Sequence, residues 1–441
     1  MKLTQFFNTD FRSFSNYNTE RMIPNICDGF KISQRKAVWA ALKKGAIGPK
    51  REEKVAQLAA YVASETNYHH GEGSLESVIV GLAQNWPGSN NVNYFYPNGQ
   101  FGNRLSPTPA ASRYIYTYLT EDFRKIFREE DDCLLEFNMS EGQPVEPKYF
   151  LPIIPNILLN GAEGIGTGYA VKILPHRASD LARAIVKILD DQEPGQLTPW
   201  FRGFRGQVQK VKTEDGWQTI TRGVYDAVHT TKIEIDELPI GLYLDDYKEV
   251  LGRLMDNDSI KSYDDYSTEE KFKFTVNAPR TTTGVDKEKF DKMFKMVQRS
   301  SENYTVWNER GYIQVFKSAE DLLKTWVKWR VVMYEKRIHR QIEKKTADIH
   351  ALEERIRFVD FYLKNSDQFK QKNKEQLKTY LQANKFEDWE KHLGMRIWTL
   401  TGEEIVSSQL KLREENTELA KLQSSTAVAV WKSELKSLRQ D

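Results

Sequence analysis

Cysteine is almost absent from this chain: Cys27 and Cys133 are the two in 441 residues. Two cysteines build no disulfide framework, and neither lies near a histidine at zinc-finger spacing. Disulfide scaffolds and small zinc modules are therefore excluded. No apolar run approaches the ~18 residues that a membrane span requires. The opening MKLTQFFNTDFRSFSN has neither the basic nor the apolar segment of a secretory signal. A surplus of one charge is missing as well, since 64 Lys and Arg stand against 62 Asp and Glu. Any surface for a polyanion must then come from segregated charge and not from bulk excess. These absences leave an intracellular protein in a reducing compartment, with about three domains at roughly 150 residues each.

What is present is uneven along the chain. Between Lys31 and Lys54, eight basic residues (Lys31, Arg35, Lys36, Lys43, Lys44, Lys50, Arg51, Lys54) face only Glu52 and Glu53. They alternate with Ile32, Val38, Trp39 and Leu42, so a packed helix could present the cations along one side. Residues 146–315 read as an α+β region, with YFLPIIPNILL, TKIEIDEL and FKFTV as strands between Gly and Asn-Gly turns. From Ala319 the apolar residues Val331, Ile338, Ile342, Ile349, Leu352, Ile356, Val359 and Leu363 recur mostly at gaps of 3, 4 or 7, with Glu335 and Lys345 interrupting. Such a helix would be about 68 Å long, too long for a compact domain to surround, and needs a partner strand. Thr401 and Glu404 form a capping-box pattern that opens a second helix with Ile405, Leu412, Leu419 and Leu422. An antiparallel hairpin with residues 366–400 at its tip is the economical arrangement.

Three motifs carry chemistry. NGAEGIGTG (Asn160–Gly168) holds four glycines in nine residues, but its spacing matches neither GxxxxGK[ST] nor GxGxxG. Its glycines permit close backbone approach to another surface and would leave Ile165 unusually accessible. His69-His70-Gly71-Glu72 supplies adjacent residues that do not converge on one ion, so an imidazole against phosphate or sugar oxygens is the better reading. AASRYIYTYLT places Arg113 before Tyr114, with Tyr116 and Tyr118 following. A tyrosine cluster usually packs a core. As a nucleophile, a phenol of pKa near 10 is only about one part in a thousand phenolate at neutral pH, and would need a neighbouring cation, base or metal. On residues alone, both readings stay open.

Several segments taken together resemble one family. IPNICDGFKISQRK (Ile23–Lys36) is similar to the signature of the breakage-reunion region of type IIA DNA topoisomerases. KVAQLA, YHHGE, GLAQNW, PNGQFG, AASRYIYT, LPIIP, NGAEGIGTG and WFRG continue it in the family's order, and AVAVWKSELKSL is similar to its closing helix. In detail the resemblance is to the eukaryotic enzyme's region more than to the A-type polypeptide of gyrase. The chain's length and start suggest a separately encoded medium subunit of the T-even phage type, in the cytoplasm of a bacterial host. The loop Gly102–Ser112 (GNRLSPTPAAS) departs from the family by being shorter and Pro-rich.

The resemblance implies an α+β multidomain fold. A winged-helix DNA-cleavage domain would span 1–145 and an α/β tower domain 146–317. A long antiparallel coiled-coil arm would occupy 318–365 and 401–441, with a small helical exit-gate insert at 366–400. It implies Tyr114 as nucleophile, with Tyr116 the competing choice, Arg113 beside it, Arg35 on the reacting phosphate and His70 near the bound strand. Lys31, Lys36, Lys54 and His69 would bind DNA, and Ile165 would wedge between base pairs and bend the duplex. Mg2+ and ATP are implied for the reaction, but no toprim metal site (EGDS with a DxD element) and no ATPase signature accompany these motifs. Both are expected from a partner toprim/ATPase subunit, with no metal ligand in this chain. Double-stranded DNA and a second copy, joined through the exit gate and arm, complete the expected partners. The absence of a basic wrapping domain favours relaxation and decatenation. The competing readings are a non-catalytic, DNA-bending architectural protein and a long-helix scaffold that binds only protein.

Overall fold

The computed structural model describes residues 3–213, 216–386, 388–396 and 399–439. Positions 1–2, 214–215, 387, 397–398 and 440–441 of the expected zones lie outside the described residues. The chain forms two compact units, one of Met1–Arg330 with Lys432–Asp441 and one of Val331–Trp431. Strand and helix elements are mixed throughout the first, and the second is helical.

In the first unit, helix Ile32–Lys44 starts where the Lys31 N–H donates to Gln34 Oε1 at 2.9 Å, and it stops at Gly45, whose φ of 71° is left-handed. Its small inward residues, Ala37, Ala40 and Ala41, let helices Val55–Glu65 and Glu72–Ala83 approach closely. Two antiparallel residue pairs, Glu53–Thr117 and Lys54–Tyr116, fasten this bundle to the Arg-Tyr segment. Beneath it, Phe30, Tyr94, Phe123, Phe127 and Phe150 make a buried aromatic cluster of stacked and edge-on rings.

YFLPIIPNILL is not a strand. Pro152 and Pro155 cannot donate to a ladder, and the segment runs irregularly into a single helical turn, Asn156–Leu159. Its apolar residues are buried all the same: Ile153, Ile154 and Leu158 have no exposure. A continuous apolar run cannot by itself distinguish strand from other buried backbone. The alternating segments do form strands. Lys232–Glu237 lies in a four-stranded antiparallel sheet beside Phe274–Asn277 and Val224–His229. Ile233 and Ile235 pack inward on Tyr247, Val250, Leu251 and Leu254 of helix Leu244–Asp256. A second sheet joins Gln207–Thr213, Gly216–Arg222 and Val297–Ser301, and a hairpin pairs Ala162–Ile165 with Ala170–Ile173.

The long helix runs Ala319–Lys364, 46 residues, close to the expected length. Its first turns belong to the first unit, where Trp326 Nε1 donates to Cys27 O at 3.1 Å and Arg330 pairs with Asp131 at 2.6 Å. In the second unit it runs antiparallel to Gly402–Ser424. Lys345 meets Glu415 at 2.6 Å and Glu418 at 2.5 Å, while Arg355 meets Glu404 at 2.6 Å. That last pair corrects the expected capping box. Thr401 Oγ1 accepts from the Glu404 N–H at 3.3 Å, but the Glu404 carboxylate turns to Arg355 and not back to the cap. Of the expected seam, Ile338, Ile349 and Val359 are buried and Leu363 is exposed, and Tyr334 and Phe358 bury alongside them. The insert holds three short helices, Ser366–Lys370, Lys374–Ala383 and Trp389–Leu393, around Phe358, Leu381 and Phe386. No helix among the described residues is long and apolar enough to cross a membrane.

One core residue makes stability depend on acidity. His176 is 1% exposed, with Nδ1 at 3.2 Å from Leu158 O, and burial pulls its pKa down to about 4. The unfolded chain, with an ordinary value near 6.5, takes up this proton first, so the contribution is complete above about pH 6.5 and is lost as pH falls through 4. Denaturant unfolding between pH 7 and pH 4 should show a loss of about 3 kcal/mol from this group. A His176→Asn variant, less stable at pH 7, should lack that part of the slope.

Candidate nucleic-acid interface

The hairpin that carries Ile165 is seated directly on helix Asp10–Met22. A Cβ on Gly164 would lie 2.1 Å from Met22 O, and one on Gly166 would lie 3.3 Å from Thr19 Cα. Only glycine fits the first position without moving backbone. Asn18 Oδ1 then accepts from both Thr167 N at 2.9 Å and Thr167 Oγ1 at 3.1 Å, while Gly166 N donates to Tyr169 O at 2.8 Å. A rigidly strapped hairpin therefore holds Ile165 out with 79% exposure. Lys31 lies beside Gly164, and partial burial lowers its pKa against the opposing pull of Glu163.

The same helix reaches His70. Tyr17 Oη is hydrogen-bonded to His70 Nε2, the Tyr68 ring lies 5.3 Å from the imidazole, and Arg21 sits 5.7 Å from the Tyr17 ring. Desolvation first, then the charges of Arg21 and His69, hold His70 below the ordinary histidine range. A neutral ring accepting from Tyr17 at Nε2 carries its proton on Nδ1, where it can donate to an anionic oxygen. His69 lies beside it and is exposed. Tyr17 was not legible in the sequence, because its partner is 53 positions away and no pattern joins them.

Tyr114 occupies a turn closed by its own N–H to Ala111 O at 2.9 Å, and its side chain is 68% exposed. The Arg113 guanidinium carbon lies 5.0 Å from its ring centroid. Tyr116 is held differently. It is half-buried, its backbone exchanges hydrogen bonds with Asn98 at 2.9 and 3.1 Å, and Lys54 Nζ sits 5.9 Å above its ring. Tyr96 and Tyr118 stack at 4.9 Å next to it. Of the two tyrosines, Tyr114 is the one whose phenol stands in solvent.

Charge counting along the sequence overstated the cationic patch. Arg35, expected on the phosphate, is 4% exposed and spent on Asp28, with Nε to Oδ2 at 2.6 Å and Nη2 to Oδ1 at 3.0 Å. Lys36, expected on DNA, donates to Glu146 at 2.7 Å and to Thr66 O at 2.8 Å. Lys43 pairs with Glu65, and Lys44 with Glu53 at 3.3 Å. The carboxylates that neutralise Arg35, Lys36 and Lys43 come from outside the counted stretch. Lys50 and Arg51 remain exposed, and Lys31 and Lys54 are half-buried. Two groups thus emerge, one around Ile165, Lys31 and His70 and one around Tyr114, Arg113 and Lys54. Among the described residues no hydrogen bond, ion pair or ring contact links them. Nor do three or more His, Cys, Asp or Glu residues come together in a way that could hold a metal ion, so the described residues do not fit a divalent cation.

Residues 21–436 match the family model for the A-type polypeptide of DNA gyrase/topoisomerase IV. DNA topoisomerase 2 of Arabidopsis thaliana is 36% identical over 364 residues, covering 81% of this chain and 24% of that protein. DNA topoisomerase 2 of Plasmodium falciparum is 31% identical over 481 residues, covering 99% of this chain and 34% of that protein. The chain thus spans a quarter to a third of the length of these relatives. The solved DNA-binding, cleavage and re-ligation domain of Plasmodium falciparum topoisomerase II superposes with a TM-score of 0.88 at 31% identity, over 99% of this chain and 64% of that one.

The seating of the hairpin predicts two separable effects. Gly164→Ala should cost about 2 kcal/mol or more, because backbone must shift, and should speed amide exchange at Thr167. Ile165→Ala should leave stability within about 0.5 kcal/mol of the parent, since the side chain packs against little. Thermal unfolding of both variants checks this.

Proposed function

The chain belongs to the DNA gyrase/topoisomerase IV A-type family and has the fold of the topoisomerase II cleavage and re-ligation domain; from that premise we propose that it breaks and reseals duplex DNA through Tyr114. The phenolic oxygen attacks a backbone phosphorus. The new bond joins Tyr114 Oη to phosphorus, the bond from phosphorus to the 3′ oxygen breaks, and a 5′-phosphotyrosyl chain and a free 3′-hydroxyl result. The phenol proton leaves to solvent and one is returned to the 3′ oxygen, so the exchange conserves the phosphodiester and its reversal reseals the strand. The observation that carries this reading is an exposed tyrosine on a fixed turn with a guanidinium 5.0 Å from its ring.

Arg113 offsets charge as it develops on the phosphate oxygens, and Lys54 steadies the neighbouring backbone. His70 donates from Nδ1 to the bound strand, and Lys31, His69 and Ile165 grip and bend the duplex. An apolar wedge costs unstacking energy that the contacts of a bent duplex offset. Arg35 and Lys36 serve by holding this surface together. Residues 1–145 act as the winged-helix cleavage domain, 146–317 as the tower, and 318–365 with 401–441 as the coiled-coil arm. Two copies joined through this arm and the 366–400 insert would cut the two strands and pass another duplex. A toprim/ATPase partner chain would bring Mg2+ and use ATP.

The rigid display of Ile165 also supports a second reading, DNA bending without cleavage. Reconstitution with a toprim/ATPase partner distinguishes the two. After detergent denaturation, protein should remain covalently on 5′ ends for the parent and for Tyr116→Phe, and be absent for Tyr114→Phe. An undiminished adduct in Tyr114→Phe would assign another nucleophile, and no adduct in the parent would favour bending alone.

A further inference from the structure

The Pro-rich loop Gly102–Ser112 ends two residues before Tyr114, and it carries a buried guanidinium. Arg104 is 2% exposed, although it lies in a surface loop. Its Nη2 donates to Glu237 Oε1 at 3.1 Å, to Leu238 O at 2.8 Å and to Pro239 O at 3.4 Å, and Nη1 donates to Leu242 O at 3.2 Å. The guanidinium carbon also lies 4.6 Å from the Phe272 ring centroid. The receptacle is thus made from the end of strand Lys232–Glu237, the turn after it, and a ring of the same sheet body's core. The next residue repeats the attachment: Leu105 packs against that core and its carbonyl accepts from Leu244 N at 3.0 Å.

The path from Arg104 to Tyr114 has little slack. Asn103 Oδ1 accepts from Leu105 N at 2.9 Å and Ser106 N at 3.1 Å, and Ala110 N donates to Gln100 O at 2.8 Å. Gly102, at φ +90°, has Pro107 O where a Cβ would lie 2.6 Å away. Beyond Ala110, Ala56 N donates to Ser112 O at 3.3 Å and Tyr114 N donates to Ala111 O at 2.9 Å. A buried ion pair adds little net stability, since desolvation consumes most of the attraction. What a planar fork on four acceptors does supply is a fixed orientation.

We propose that Arg104 is a positioning residue for strand cleavage, the side chain through which the four-stranded sheet body sets the turn that carries Tyr114. This rests on the reading of Tyr114 as nucleophile. Glu237 keeps its bond from Leu238 N and its approach to Arg205 at 3.7 Å when Arg104 is removed, so the sheet body retains its own order.

The test compares the full-length parent, Arg104→Ala, Arg104→Lys and Glu237→Gln, each reconstituted with the toprim/ATPase partner on duplex DNA. Lysine keeps the charge and loses the fork, whereas Glu237→Gln keeps an acceptor. Adduct formation at saturating DNA should slow about 10- to 100-fold in both Arg104 variants, with DNA affinity unchanged and Glu237→Gln slowed less than either. Amide exchange should quicken at Ala110–Tyr114 and stay unchanged over Lys232–Glu237. Parental adduct rate together with parental exchange at that turn would overturn the proposal, as would loosening of the whole sheet in Arg104→Lys. A parent that forms no adduct would refute the nucleophile assignment, and the exchange comparison would then decide the clamp alone.

Discussion

Asp28 is a carboxylate with no exposure, and it joins segments that lie more than a hundred positions apart in the chain. Its oxygens accept from Arg35 twice, from Phe30 N at 3.0 Å and from Phe150 N at 3.0 Å, and its carbonyl accepts from Asn156 Nδ2 at 2.8 Å. Helix Ile32–Lys44 is thereby locked to the irregular 150–157 segment far along the chain. Next door, a Cβ on Gly29 would lie 2.4 Å from Ile157 N, so the two backbones meet with no side chain between them. Cys27 O takes the Trp326 indole and brings in the start of the long helix. Removing one partner of such a pair leaves an uncompensated buried charge and costs about 3–5 kcal/mol.

This constraint gives an arginine that resembles a phosphate ligand in sequence an architectural partner as well. An arginine that is 4% exposed keeps Nε and Nη2 on one carboxylate, which leaves Nη1 as the donor outside that pair. The cations left over are fewer and more dispersed than the linear count suggested, and each has a local role. Lys54 stands over Tyr116, Arg113 over Tyr114, and Lys31 beside the glycine that seats the hairpin. The exposed charges are few and placed beside one exposed apolar side chain, in keeping with a chain whose net charge is only +2.

Rigid display is common to both halves of the interface. Ile165 is exposed because Gly164 and Asn18 fix the backbone on either side of it. Tyr114 is exposed at the end of a loop whose other part is buried through Arg104. In each case a solvent-facing side chain follows a segment that is held by other contacts, and the side chain itself stays unpacked.

Local periodicity was enough to read the long helix and the strands Lys232–Glu237 and Phe274–Asn277, and the flanking glycines the accessibility of Ile165, because those signals lie within a few residues; the helical character of the insert was implied by the family resemblance alone. The Arg113-Tyr114 pair was equally legible, being contiguous. The charge balance around helix Ile32–Lys44 was not, since Glu65, Glu146 and Asp28 meet their cations only after folding. Nor was the irregular Pro-bounded core segment, whose burial looks the same as a strand's in one dimension. Tyr17 against His70 and Arg104 against Glu237 pair residues 53 and 133 positions apart, and no spacing rule connects them. Covalent order determines which side chains share a face, but which charges cancel, and which tyrosine keeps its oxygen in water, is set by contacts that exist only once distant backbones have packed.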